Sequence, residues 1–262
     1  MAQMTGSGVP IAYDDLGEGD PALLLLTGWC SNRGRWADVA ELASRRRRVV
    51  SFEWRGHGDS RAAPGDFGVE EMVADALAVV DTGGIGSFVP CAASHSGWVA
   101  IELRRRLPER VPKLVHLDWM LVEPPRPYMD VIRQLQLADG WPAARDTLFR
   151  IWQADVDSAQ IRGALDAMNE HGADMWMRSG RVIEASYLEH GSPLDALAAL
   201  EPAPPTLHLY GQPQSEEYLE AQHRFAGSHP WFQVRRLDVR SHFAMIEAPH
   251  EVAEAIEAFV SW

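Results

Sequence analysis

Three side chains able to move protons or attack an electrophile fall at the ends of apolar runs in this sequence. Ser94 lies in Cys91-Ala92-Ala93-Ser94-His95-Ser96-Gly97-Trp98, where a strand-like run gives way to a helical pattern. A sharp strand-to-helix turn lifts a serine clear of a sheet and exposes its hydroxyl. The usual form of that turn is Gly-x-Ser-x-Gly; here Ala92 and Ser96 replace the glycines, and residues this small still make the turn. A plain helix cap is the other reading of Ser94. His242 sits in Arg240-Ser241-His242-Phe243, after the last strand-like run and before the last helical pattern. Asp118 closes the run Leu114-Val115-His116-Leu117 and precedes Trp119. An imidazole titrates near neutrality and can take a proton, and a carboxylate beside it fixes its tautomer and stabilises the imidazolium. Such a pair either activates a serine as nucleophile or deprotonates a substrate directly. The backbone amides of His95, next to the serine, and of Trp29, after Gly28, are candidates to bind an oxyanion.

The elements that must position these residues are legible as alternating patterns. Apolar runs at Ala22 to Thr27 and Val49 to Phe52 predict buried parallel strands, and Phe88 to Ala93, Leu114 to Leu117, Thr206 to Tyr210 and Phe232 to Leu237 predict further strands. Helical spacing over Val69 to Asp81, Gly97 to Leu107 and Pro249 to Trp262 fills the intervals. The fold class is therefore α/β, with a mainly parallel central sheet and helices on both faces. The stretch Pro124 to Gly191 breaks the alternation: it opens with prolines, has no convincing strand and carries Trp141, Trp152 and Trp176 among helical patterns. It reads as a helical cap, residues 123–191, inserted into a core of residues 1–122 and 192–262. A cap belongs over the carboxyl ends of the strands, where open α/β sheets bind ligands. Its tryptophans either line a pocket for a flat aromatic ligand or form the cap's own core. The order strand, serine, cap, strand, histidine is that of the α/β-hydrolase fold, and Arg55-Gly56-His57-Gly58-Asp59-Ser60 matches a turn common in it. The acid is out of the ordinary place. It usually follows the strand after the cap, but that strand runs into Gly211-Gln212-Pro213-Gln214-Ser215 with no carboxylate until Glu216, which leaves Asp118 as the better candidate.

Composition narrows the partners. The 262 residues carry a formal net charge of −13, which repels nucleic acid and anionic membrane surfaces. Two cysteines, Cys30 and Cys91, make neither a disulfide framework nor a metal-type spacing. No apolar run approaches the roughly 20 residues that span a bilayer, and Met1 to Pro10 lacks a leader pattern. The expectation is a cytoplasmic monomer or small homo-oligomer acting on a small molecule. The basic run Arg45 to Arg48 reads as a solvated helix end.

A more specific set of matches runs through nearly the whole chain: Leu26-Thr27-Gly28-Trp29-Cys30, Trp54-Arg55-Gly56-His57, Ser94-His95 with Gly97-Trp98, Asp118-Trp119, Trp152, Met175-Trp176, Gly191-Ser192-Pro193-Leu194-Asp195 and His242-Phe243. In these the sequence resembles the cofactor-independent dioxygenases of the α/β-hydrolase superfamily that cleave 3-hydroxy-4(1H)-quinolones, whose members also carry their acid after the earlier strand. It departs from them in Ser96-Gly97-Trp98, where Gly-Cys-Trp is expected, and in Ser31, where relatives can carry a larger polar residue. The resemblance implies the branch acting on 2-alkyl-3-hydroxy-4(1H)-quinolones, with O2 as second substrate, no metal and no organic cofactor. It further implies that His242, supported by Asp118, takes the substrate's 3-hydroxyl proton, that Ser94 hydrogen-bonds the substrate, that the amides of Trp29 and His95 hold an oxyanion, and that Trp152 shapes the aromatic pocket. An N-acylanthranilate and carbon monoxide would be the products.

Three rivals follow from the same residues. A serine esterase or lactonase would use Ser94 as covalent nucleophile. An iron oxygenase would draw on His116-x-Asp118 with His242, or on His57-x-Asp59, although His116 is expected to pack inside the sheet. A non-catalytic receptor of the same fold would not need Ser94, Asp118 and His242 intact.

Overall fold

Apolar runs too short for stable helices pair into one twisted sheet, and the helices between them cover it. The computed structural model describes residues 2–4 and 8–262, so the leader expectation for Met1 to Pro10 falls partly outside the described residues. Eight strands are present: β1 Ala2–Met4, β2 Ile11–Leu16, β3 Ala22–Leu26, β4 Val49–Phe52, β5 Phe88–Ala93, β6 Leu114–Leu117, β7 Thr206–Tyr210 and β8 Phe232–Arg236. Their order across the sheet is β1-β2-β4-β3-β5-β6-β7-β8. The first two strands pair antiparallel, as do β2 and β4, and every pairing from β4 to β8 is parallel. The six expected strands are present to within a residue, though β8 is buried only at Phe232. The antiparallel edge made by β1 and β2 carries alternating or polar residues and was not anticipated, because only β3 to β7 are buried along their whole length.

The helices are α1 Ala37–Ser44, α2 Val69–Thr82, α3 Gly97–Arg106, α4 Arg126–Gln134, α5 Trp141–Gln153, α6 Ala159–Asn169, α7 Ala173–His190, α8 Pro193–Ala198, α9 Glu216–Ser228, α10 Ala244–Glu247 and α11 Pro249–Ser261. Between residues 123 and 191 the chain forms α4 to α7 with no strand. Among the described residues no helix is long and apolar enough to cross a membrane.

The core lies on both sides of β3 and β5. Leu23, Leu24, Leu25, Val89 and Ile101 are buried there with Trp36, Trp54 and Phe88. His116 is inside the sheet as expected, fully buried beside the Trp119 ring with centroids 5.1 Å apart. The basic run departs from expectation at one residue. Arg45 is exposed at the end of α1 and pairs with Glu41, but Arg47 is buried, its guanidinium clamping both carboxylate oxygens of Glu257 in α11 at 2.7 Å. That bond joins the α1–β4 turn to the closing helix, so the side chain is a structural tie and not a solvated charge.

Candidate active site

Two neighbouring parallel strands, β5 and β6, each end in a residue with left-handed backbone. Ser94 has φ 55° and Asp118 has φ 43°. For residues other than glycine this conformation is uncommon and costs on the order of 1–2 kcal/mol. Here it turns both side chains away from the strand line and up toward the carboxyl edge of the sheet. At Ser94 the strand passes into a short 3-10 turn, Ser94–Ser96, and then into α3. Ser96, in a glycine's usual place, donates its hydroxyl to the Ala93 and Leu26 carbonyls at 2.7 and 3.2 Å and so stitches the turn to β3. Gly28 supplies the close approach on the other side, since a Cβ there would stand 3.4 Å from the Ser94 Cβ. Gly97 is far more constrained: a Cβ there would overlap the Trp119 ring at 2.1 Å, whereas the Gly28 distance is ordinary contact.

Trp119 uses that space to reach His95. Its indole N–H donates to His95 Nδ1 at 3.3 Å, and the other ring nitrogen, Nε2, lies 2.7 Å from Tyr128 Oη. An accepting Nδ1 leaves the proton on Nε2, which donates to Tyr128. Burial pushes the His95 pKa down to about 3, so the ring stays neutral at working pH.

Asp118 is buried, and its carboxylate accepts three backbone N–H groups: Gly211 at 2.6 Å and Gln212 at 3.2 Å on Oδ1, and Ala244 at 3.3 Å on Oδ2. Burial raises its pKa to about 6; the three amides pull the other way, and Glu247 adds to the rise. The expected bond from the carboxylate to the His242 ring is not among its hydrogen bonds. Asp118 instead grips the loops on both sides of the histidine, one through the end of β7 and one through Ala244.

His242 is held by the helical insertion. Its backbone N–H donates to the Trp152 carbonyl at 2.7 Å, and the two rings stack, with centroids 5.3 Å apart and planes 19° apart. The Gln212 amide fastens the same corner by donating to Ile151 O at 2.9 Å and Arg240 O at 2.6 Å. The imidazole pKa is pushed down to about 3, first by burial and then by the positive charge of Arg35 and by His95. Among the described residues its ring nitrogens make no hydrogen bond.

These side chains converge on a cavity of about 360 Å³ bordered by Ser94, His95, Asp118, Trp152 and His242, with Tyr128 on the same wall. A second, smaller cavity of about 30 Å³, sharing Ser94 and His242 with the first, is bordered by Trp29 and Arg35. All six residues singled out in the sequence therefore border one of two adjoining cavities: Asp118 the larger, Trp29 the smaller, and Ser94, His95, Trp152 and His242 both. The tryptophans of the insertion divide. Trp152 and Trp176 border the site, and Trp141 lies against the Arg145 guanidinium at 5.2 Å.

Sequence reasoning missed several participants. His57, read only as a mark of the fold, accepts the Cys30 backbone N–H on Nε2 at 3.0 Å, while Nδ1 faces the Arg55 carbonyl at 3.0 Å, so it fixes the Trp29–Cys30 loop beside Ser94. Cys30 has φ 55°, another left-handed residue. Tyr128 and Arg35 carry no sequence signal of their own. His116 and His57 do not assemble a metal site: among the described residues no group of three or more His, Cys, Asp or Glu is placed to hold a metal ion.

Residues 21–243 match the alpha/beta hydrolase fold family. The 2-heptyl-3-hydroxy-4-quinolone dioxygenase of Rhodococcus erythropolis is 39% identical over 99% of this chain and 98% of its own length. The 1H-3-hydroxy-4-oxoquinoline 2,4-dioxygenase of Pseudomonas putida is 34% identical over 99% of both. The chain belongs to the 3-hydroxy-4-quinolone dioxygenases of the α/β-hydrolase fold. A solved dioxygenase structure, AqDC recognising and cleaving the Pseudomonas quinolone signal, in complex with its product, superposes over 100% of both chains with a TM-score of 0.95 at 35% identity. Solved esterases, such as that of Thermogutta terrifontis at 22% identity, share only the fold with this dioxygenase-family chain. Asp118 ends the strand just before the insertion, the place where the sequence resemblance expects the acid.

Proposed function

We infer that this chain cleaves 2-alkyl-3-hydroxy-4(1H)-quinolones with O2, giving an N-acylanthranilate and carbon monoxide. One observation carries the reading in the site itself: His242 borders the cavity with its ring nitrogens free of partners among the described residues, while His95 and His57 are bonded through both of theirs. A neutral imidazole in that position is a proton acceptor. The substrate's 3-hydroxyl gives its proton to His242, and the ring becomes an electron-rich oxyanion. Burial disfavours imidazolium in the empty site, but the new cation forms beside the substrate anion, and opposite charges at close range favour the charged form. The anion then passes one electron to O2. The resulting radical pair joins at C2, the peroxide attacks the C4 carbonyl, and the peroxide O–O bond breaks with the ring. C3 leaves as carbon monoxide, both oxygen atoms of O2 remain in the N-acylanthranilate, and His242 releases its proton. These steps call on no metal or organic cofactor.

Ser94 serves as a hydrogen-bond partner to the substrate in this scheme, and the amides of Trp29 and His95 face the developing oxyanion. Trp152 offers one flat wall for an aromatic ring, and residues 123–191 act as the cap that keeps water from the reactive anion. A covalent serine mechanism would need Ser94 to pass its proton to His242, and no hydrogen bond between them is present among the described residues. The test is incubation of chelator-treated protein with 2-heptyl-3-hydroxy-4(1H)-quinolone with and without O2, following substrate absorbance and gas release. The expected result is loss of substrate only with O2 and about one carbon monoxide per turnover. Absence of turnover together with cleavage of a simple aryl ester would return the chain to the hydrolases.

A further inference from the structure

Buried charges in proteins are paired, because an isolated ion removed from water costs several kcal/mol. Arg35 breaks that rule in part: its side chain is half-buried, with guanidinium Nη2 cut off from water. It lies in the 3-10 turn Arg33–Trp36 that follows β3, and its neighbour Arg33 is paired with Asp14, Glu53 and Asp59. Arg35 makes no ion pair among the described residues, and its buried Nη2 has no hydrogen-bond partner. The guanidinium stands 4.4 Å over the Phe243 ring, next in sequence to His242, and borders the smaller of the two adjoining cavities with Trp29, Ser94 and His242. The titratable groups around it are the Cys30 thiol, His242, His95 and Tyr128, each held toward its neutral form by burial, and Asp38, which borders a second cavity that Arg35 also meets. The facing cap helix α6 contributes Gln160 to that second cavity and no charge. Beside Arg35 in the same second cavity, Ser31 is 3% exposed and its hydroxyl also lacks a partner.

We propose that Arg35 is the counter-ion of the substrate anion: an unpaired cation kept at the smaller cavity until deprotonation of the ligand supplies its negative partner. The argument rests on the function inferred above. It assigns the cation a use that explains its cost. In the empty protein Arg35 opposes protonation of His242, which leaves the base neutral and ready. With ligand bound, its charge pulls the ligand's hydroxyl toward ionisation. The desolvated guanidinium, pushed down to about 10 by burial but still charged at neutral pH, repays its burial only in the anionic complex.

The experiment is an anaerobic pH titration of bound 2-heptyl-3-hydroxy-4(1H)-quinolone, read by the absorbance of its anion, in the natural protein and in Arg35→Met. Methionine replaces an unpaired buried charge by an apolar chain of similar reach, a change that tends to stabilise a fold, and Arg35→Gln is the second neutral variant. A nearby opposite charge shifts ionisation by about 1–3 pH units. The apparent pKa of the bound ligand should therefore rise by at least about one unit in either folded neutral variant and stay near the natural value in Arg35→Lys. The same quinolone without its 3-hydroxyl cannot form the anion and should bind the natural protein and both neutral variants within about twofold, while the hydroxylated ligand loses about tenfold in affinity. An unmoved ligand pKa in a folded neutral variant, or equal weakening of both ligands, overturns the proposal. Carbon monoxide release by the natural protein is measured separately, so failure of the dioxygenase reading is distinguishable from failure of this one.

Discussion

Across the catalytic cavity, His95 is gripped through both ring nitrogens, by Trp119 and Tyr128, whereas His242 is gripped through its ring face by Trp152 and through its backbone N–H. Burial pushes both rings to the same neutral state, near a pKa of 3. Their difference lies in what is left over. His95 has spent its donor and its acceptor on the fold, so it can only position the turn beside Ser94. His242 keeps both nitrogens for a ligand, and the elements that orient it leave them untouched. A histidine near an active site is thus assigned by its unspent valences and not by its titration.

The largest expected effect would break this comparison most directly. His242→Ala should lower turnover of the quinolone by about 10³-fold, within the range of general base catalysis, with binding of product little changed; retention of a tenth of the activity would remove His242 from the role given to it. Asp118→Asn comes next, at about 10²-fold or more, because a carboxylate supporting a catalytic imidazole is costly to neutralise. The natural enzyme carries the same dependence in its pH profile. Asp118 has a raised pKa of about 6, so its anion is present above that value, and kcat/KM should fall as pH drops through about 6. The linkage to stability runs the other way. A carboxyl raised in the folded state stabilises the fold at pH values below its unfolded pKa, and that contribution is lost as pH rises through about 6. Asp118→Asn should accordingly flatten the acid limb without unfolding the chain at neutral pH, as a thermal melt beside the rate profile would show.

Smaller effects sharpen the comparison on the His95 side. Ser94→Ala should keep a measurable fraction of activity, on the order of a tenth, the cost of one substrate hydrogen bond of about 1.5 kcal/mol. If its loss equals that of His242→Ala, the serine is a covalent nucleophile. Tyr128→Phe removes the acceptor for His95 Nε2–H and leaves a buried donor unsatisfied, which should cost about 1–3 kcal/mol in a denaturant melt while turnover changes only a few-fold.

The strands that carry the site were legible because they are buried on both faces, and uniform burial writes itself as an uninterrupted apolar run; Leu114 to Leu117 locates Asp118 in this way. Ser94 and His242 followed from their places at strand ends. Asp118 was chosen by elimination, because no carboxylate follows β7 until Glu216, and at the end of β7 the Gly211 and Gln212 amides donate to it. What stayed hidden depends on distant partners. His57 sits 27 residues from the Cys30 amide it accepts, and Tyr128 sits 33 residues from His95, separations that no local pattern encodes. The bond between Asp118 and the His242 ring was expected from the roles of the two residues, and the carboxylate's grip on the neighbouring amides replaces it here. Arg35 escaped notice because an arginine in a loop normally reaches water; only the fold sets its guanidinium on the Phe243 ring with no ion pair among the described residues.

The three amides on Asp118 join the ends of β6, β7 and the start of α10 at one carboxylate. In the proposed reaction the group that supports the base is also the knot that closes the loops around it, so a change to one pulls on the other. Loop variation elsewhere on the rim is free to reshape the cavity for new ligands. Innovation in this lineage should thus gather at the cap and at the Trp29 loop, while the Asp118 knot limits how far the chemistry itself can drift.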